Sequence, residues 1–120
     1  MTDPTTIDRL TNESVELLQA LIRNQCVNDG TPESGNEDVS ARLLRDELEG
    51  TGVDFQTFET LPGRTSLVAR WPGTDPSAPA LCLMGHTDVV PVSPDGWDRD
   101  PFGGELVPNA DGVDEVWGRG

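Results

Sequence analysis

The sequence predicts an α/β domain, and three observations carry that reading. Two amphipathic segments with helical spacing open the chain, and two pairs of alternating segments follow them. Between those pairs lies ALCLM, residues 80–84, apolar at every position. Period-two alternation marks half-buried strands, whereas an unbroken apolar run of this length marks a strand covered on both faces. Helices and strands mixed around such a strand define an α/β layer structure. The 120 residues suffice for one domain with a core, though not for two.

The first helix is expected from about Thr5 to Gln25. Ile7, Leu10, Leu17, Leu18, Leu21 and Ile22 recur at helical spacing, and Asp3 and Pro4 are start signals. A polar loop, CVNDGTPESGNE, follows and is rich in turn formers. Within it Ser34 and Glu37 have the spacing of a capping box. A second helix is expected to about Glu49, with Val39, Leu43, Leu44 and Leu48 on one face and Gly50 and Gly52 as its stop. From Val53 the period changes. Val53, Phe55 and Thr57 alternate with polar neighbours, Pro62-Gly63 makes a turn, and Leu67, Ala69 and Trp71 alternate again. This is a hairpin near a sheet edge. Residues 72–79 are a loop, and 80–84 the central strand. An irregular, proline-punctuated stretch then leads to a second strand pair: Glu105 to Pro108, a turn at Asp111-Gly112, then Val116-Trp117.

Charge narrows the partners. Eight arginines and no lysine stand against 22 acidic residues, a net charge of −14. Such a surface repels phosphate backbones and anionic headgroups, so neither nucleic acid nor membrane is an expected partner. The acids are scattered, as on a solvated surface. The opening MTDPTTIDRL has neither a basic start nor an apolar stretch, and no run approaches the ~20 apolar residues of a membrane span, so a cytoplasmic protein is expected. Cys26 and Cys82 are too few for a disulfide framework. Cys82, inside the apolar run, is expected to be a small buried hydrophobe. A thiol redox pair is disfavoured by their separation and acidic setting.

The chemistry concentrates at Gly85-His86-Thr87-Asp88. His86 is the only histidine, and it stands where the apolar strand runs out into a loop. Open α/β sheets bind ligands at that place. A histidine there can ligate a metal through one ring nitrogen while a carboxylate holds the other, and Asp88 is the candidate for that carboxylate. The alternatives are plain: a lone histidine satisfied by hydrogen bonds, and an aspartate that accepts turn amides. A zinc site needs three or four protein ligands, and this chain has no second histidine. Trp97, Phe102 and Trp117 are read as packing anchors. Asp95, Asp98 and Asp100 lack the alternation of a calcium loop. Gly103-Gly104 and the final Gly-Arg-Gly are not phosphate cradles, because no glycine-rich lysine motif is present.

The run GHTDVVPVSPDGWDRDPFGGEL, followed by EVWGRG, resembles the zinc-dependent amidohydrolase and exopeptidase family of aminoacylase, acetylornithine deacetylase, succinyl-diaminopimelate desuccinylase and glutamate carboxypeptidase. The two helices, the TPESGNE loop, the hairpin and the apolar strand follow the order of that family's amino-terminal part. The resemblance implies a fold: the amino-terminal part of a mixed-sheet, helix-flanked zinc exopeptidase-like catalytic domain, incomplete over residues 1–120. It implies His86 as the first zinc ligand and Asp88 as the catalytic-site aspartate that orients it. It also implies two zinc ions (cobalt or manganese as substitutes) about 3.5–4 Å apart, and a small-molecule or peptide substrate. The bridging aspartate, the adjacent glutamates, the last histidine and the inserted smaller domain would lie beyond Gly120. A homodimer of the complete protein is compatible with this reading.

Two functions of different class follow. One is a fragment of a metallohydrolase that cleaves the amide bonds of N-acyl amino acids or small peptides, inactive by itself. The other is a self-contained, non-catalytic interaction or regulatory module.

Overall fold

The computed structural model describes residues 3–119, the side chain of Pro94 aside. Met1, Thr2 and Gly120, the last residue of the Gly-Arg-Gly sequence, lie outside them. In chain order the elements are helices α1 (Pro4–Arg23) and α2 (Glu37–Leu48), strands β1 (Asp54–Leu61) and β2 (Arg64–Arg70), a 3₁₀ turn at Pro94–Gly96, and strands β3 (Glu105–Pro108) and β4 (Asp114–Trp117). Among the described residues this makes a small mixed α/β structure with two separate antiparallel pairs, β1–β2 and β3–β4. The first pairs Asp54 with Arg70 and Phe55 with Ala69, and carries an irregularity between Glu59 and Leu61. The second pairs Leu106 with Val116. Both hairpins and both helices thus stand where periodicity and turn residues put them. Among the described residues no helix is long and apolar enough to cross a membrane.

Helix α1 starts with Asp3 at its N-cap and Pro4 in its first turn, where a missing N–H costs nothing. Its carboxyl-terminal half does the packing. Ile22 is buried, and Gln19 Nε2 and Arg23 NH2 donate to the Gly104 carbonyl at 2.5 and 3.2 Å, with Arg23 Nε on Gly103 O at 3.0 Å. The glycines allow this approach. A Cβ on Gly104 would lie 3.2 Å from the Gln19 carbonyl oxygen, and one on Gly118 would lie 2.8 Å from Ile22 Cγ2. Ile7 and Leu10 near the helix start, and Leu18 further along, are exposed.

Helix α2 begins differently from the capping-box expectation. A box would make Ser34 the N-cap, but Gly35 and Asn36 take positive φ, 101° and 62°, and the helix starts only at Glu37. Ser34 Oγ instead donates to the Thr31 carbonyl and accepts from the Asp29 amide. Glu37 turns to Arg64 at the start of β2, with Oε2 and Nε 2.6 Å apart and both side chains largely buried. The Asp38 amide donates to Gly63 O at 3.1 Å, which satisfies one orphan N–H of the helix start. Two contacts thus tie α2 to the hairpin turn. Gly35 lies directly beneath them: a Cβ there would meet the Glu37 carboxylate at 2.8 Å and Arg64 Nε at 3.0 Å.

The central-strand expectation is corrected. Residues 79–88 join no ladder among the described residues, and Leu81, Leu83 and Met84 are 83%, 85% and 92% exposed. Cys82 is exposed as well, whereas Cys26 is buried. The run has the composition of a covered strand, but β1 and β2 pair with each other and no described strand flanks it. The core is correspondingly thin. Among the described residues, the buried apolar side chains are Ile22, Cys26 and Ala41. The radius of gyration is 17.1 Å, against about 14 Å for a compact chain of this length.

Two stability predictions follow from these contacts. Gly35→Ala, forced into positive φ and into the Glu37–Arg64 pair, should lower the unfolding free energy by about 2 kcal/mol or more. Gly30→Ala, also at positive φ but with open space around it, should cost only about 1 kcal/mol. Urea titration of both variants checks this, and equal losses would show that the close approach at Gly35 carries no energy. Leu83→Ala, which would remove about 2–5 kcal/mol from a covered strand, should shift this chain by less than about 0.5 kcal/mol. A larger loss in the same titration would put the run back in a core.

Candidate functional site

The site is built by a single parallel bridge. After α1 the chain turns at Gln25, with φ 53°, and runs beside residues 88–90. The Val89 amide donates to Cys26 O and the Asn28 amide to Val89 O, each at 2.8 Å, so that Val27 and Val89 pair in parallel. Cys26, 2% exposed, anchors the first strand of this bridge. Burial pushes its thiol up, the Glu37 carboxylate adds to this, and a hydrogen bond with Ser40 opposes it. Cys26 is therefore a packed, protonated thiol, and the sequence argument against a redox pair agrees with its burial.

The bridge presents His86 and Asp88. His86 Nδ1 lies 2.8 Å from the Asp88 carbonyl oxygen and 3.2 Å from Asp88 Oδ1. Both neighbours are acceptors, an arrangement that favours the tautomer with its proton on Nδ1. The ring is 84% exposed, while the Asp88 side chain is 29% exposed. The second carboxylate oxygen, Oδ2, accepts from Asn28 Nδ2 at 2.8 Å. That bond holds the Asp88 carboxyl below its ordinary value against the opposing effect of burial, and the Asp88 backbone N–H and His86 add to the lowering. Gly85, His86, Thr87 and Asp88 border a hollow whose other walls include Leu21, Ala41 and Leu44 of the helices and Thr65, Ser66 and Leu67 of β2.

The two residues singled out from the sequence are thus together, and the bond between them has the sense a metal-binding histidine requires. His86 fits one metal ligand, with a free ring nitrogen facing away from its carboxylate. Among the described residues, no three His, Cys, Asp or Glu side chains cluster in an arrangement for a metal ion. Asp100 accepts the Phe102 amide, a turn role. Trp97 and Trp117 meet edge to face, ring centroids 6.5 Å apart, as packing anchors do.

Asn28 is the site residue that the sequence did not disclose. Followed by Asp29 and Gly30, it reads as a turn former. Its Oδ1 does accept the Gly30 amide, but its amide group reaches a carboxylate 60 positions away. A local pattern carries no signal for that contact.

Comparison with known proteins finds the chain homologous to aminoacylases and succinyl-diaminopimelate desuccinylases, members of the family whose motifs its sequence resembles. It is 36% identical over 107 residues to aminoacylase-1 of Sus scrofa, a match covering 89% of this chain and 24% of that protein. It is 45% identical over 89 residues to aminoacylase-1B of Rattus norvegicus (74% of this chain, 21% of the relative). With succinyl-diaminopimelate desuccinylase of Cereibacter sphaeroides the identity is 39% over 109 residues, 90% of this chain and 25% of the relative. The chain therefore spans about a quarter of the length of the curated relatives it matches. No protein-family model matches it.

The lowered Asp88 carboxyl sets a pH dependence with a definite sign. Its folded-state value lies below the unfolded one, so its contribution to stability is present above the unfolded value, near 4, and is lost as pH falls through the folded value. The stability gap between the parent chain and Asp88→Asn should therefore be widest near pH 6 and should close toward pH 2. Denaturant titrations across that range check it, and a gap independent of pH would show that the carboxylate charge is not the source.

Proposed function

We propose that this chain is the amino-terminal portion of the catalytic domain of a metal-dependent, cytoplasmic amide hydrolase that acts on N-acyl amino acids or small peptides. The observation that carries the reading is the His86 ring beside a hollow, its Nδ1 within hydrogen-bond distance of Asp88. Homology to aminoacylases and desuccinylases supports the reaction class. The exposed apolar run at 81–84 and the thin core support a part of a larger domain over a self-contained module, because isolated modules cover such surface.

In this reading His86 would hold a zinc ion, and Asp88 would fix the ring and raise its basicity. Bound zinc would supply Lewis acidity toward a carbonyl oxygen and acidity to a water. The remaining ligands and the general base would come from the parent protein's other residues. This chain's contribution is orientation: one imidazole held in one tautomer, facing the hollow.

The test is made on the protein expressed from its complete reading frame, by metal content and by hydrolysis of N-acetyl amino acids. His86→Ala should lose bound zinc and abolish turnover. Asp88→Asn should keep the fold and lose roughly 10–100-fold in metal affinity or activity. A His86→Ala protein with the parent's zinc content and rate would overturn the reading.

A further inference from the structure

We infer that Asn28 is a positioning residue, which sets the tautomer of His86 by pinning the Asp88 carboxylate. The inference deepens the proposed function and draws its catalytic meaning from it, but its structural claim concerns this chain alone.

The carboxylate of Asp88 can rotate about its terminal torsion, a broad and nearly two-fold well. Left free and partly exposed, it would spread its two oxygens over many orientations and over water. The amide of Asn28 removes that freedom by donating to Oδ2 at 2.8 Å, which leaves Oδ1 on the side of His86 Nδ1, 3.2 Å away. Asn28 is itself held by two hydrogen bonds. Its backbone N–H donates to Val89 O at 2.8 Å, and its Oδ1 accepts the Gly30 amide at 3.0 Å and faces Ser34 Oγ at 3.4 Å. With Oδ1 occupied by the Gly30 N–H, NH₂ is the group that faces Asp88. The order runs from loop to side-chain amide to carboxylate to imidazole.

The consequence is chemical. An unconstrained histidine side chain in water favours the tautomer with its proton on Nε2, which blocks that nitrogen as a ligand. His86 is highly exposed, so solvent alone would leave it in that form. Two acceptors on Nδ1 reverse the preference. One is the Asp88 carbonyl, placed by the Val27–Val89 bridge; the other is Oδ1, placed by Asn28.

Because His86 is the only histidine, ¹⁵N–¹H long-range correlation spectra of the metal-free 120-residue chain report its tautomer directly. At mildly alkaline pH the unsubstituted chain should show the Nδ1–H form predominating. Asn28→Asp keeps Oδ1 for the Gly30 amide but loses the donor, and should move the population at least two-fold toward Nε2–H. Asn28→Ser, too short to reach Oδ2 and uncharged, should move it the same way. In an Asp88→Ala background neither change should have any effect. An unchanged tautomer in both single variants, or equal shifts with and without the Asp88 carboxylate, overturns the inference. Metal plays no part in this readout, so such a failure would leave the hydrolase reading standing. Conversely, a zinc-free parent protein would remove that reading and leave the tautomer result intact.

Discussion

Two backbone hydrogen bonds, Val89 to Cys26 and Asn28 to Val89, hold together everything chemical in this molecule. Each is 2.8 Å, and together they lock the segment after the glycine-histidine motif against the loop that leaves α1. Side chains then complete the arrangement. Cys26 is buried beneath the bridge, Asn28 reaches Asp88, and Asp88 faces His86. Remove the bridge and the histidine belongs to a ten-residue stretch without any ladder of its own. A site on an irregular segment needs such an external brace, because loops hold geometry less well than strands or helices.

The brace depends in turn on close backbone packing. Gly104 and Gly118 lie closely against α1, where a Cβ would come within 3.2 Å of Gln19 O and 2.8 Å of Ile22 Cγ2, and Gly35 lies beneath the Glu37–Arg64 pair. These glycines explain why so much of the turn-rich sequence is neither a ligand cradle nor a flexible linker. Gly104 and Gly118 bring the second hairpin against α1, and Gly35 brings α2 against the first hairpin; between α1 and α2, Ser40 is fully buried and accepts a hydrogen bond from Asn24. Away from these contacts the chain is open, and its apolar surfaces at the start of α1 and at residues 81–84 have no described cover.

What could be read from the sequence was local. Helical spacing of leucines, two-residue alternation and glycine-marked turns placed both helices and both hairpins, because those signals arise from neighbours two to four positions apart. The histidine and aspartate of the site were legible for the same reason, being two residues apart. Three features were not. The Ser34/Glu37 spacing fits a capping box, yet two consecutive left-handed residues delay the helix to Glu37 and free that carboxylate for Arg64. The apolar run carries the composition of a covered strand, but composition does not supply the neighbours that cover it. Asn28 resembles any turn asparagine, and its partner across 60 residues leaves no trace in the local pattern.

The most direct measurement of the account is native-state amide hydrogen exchange, residue by residue, on this chain. If the Val27–Val89 bridge is the brace described, the Asn28 and Val89 amides should exchange only with the slowest, global opening, while the amides of Leu81, Leu83 and Met84 exchange at the rate of free peptide. Exchange at Asn28 and Val89 as fast as at those three would mean that nothing holds the histidine in place, and the site described here would not exist as a structure.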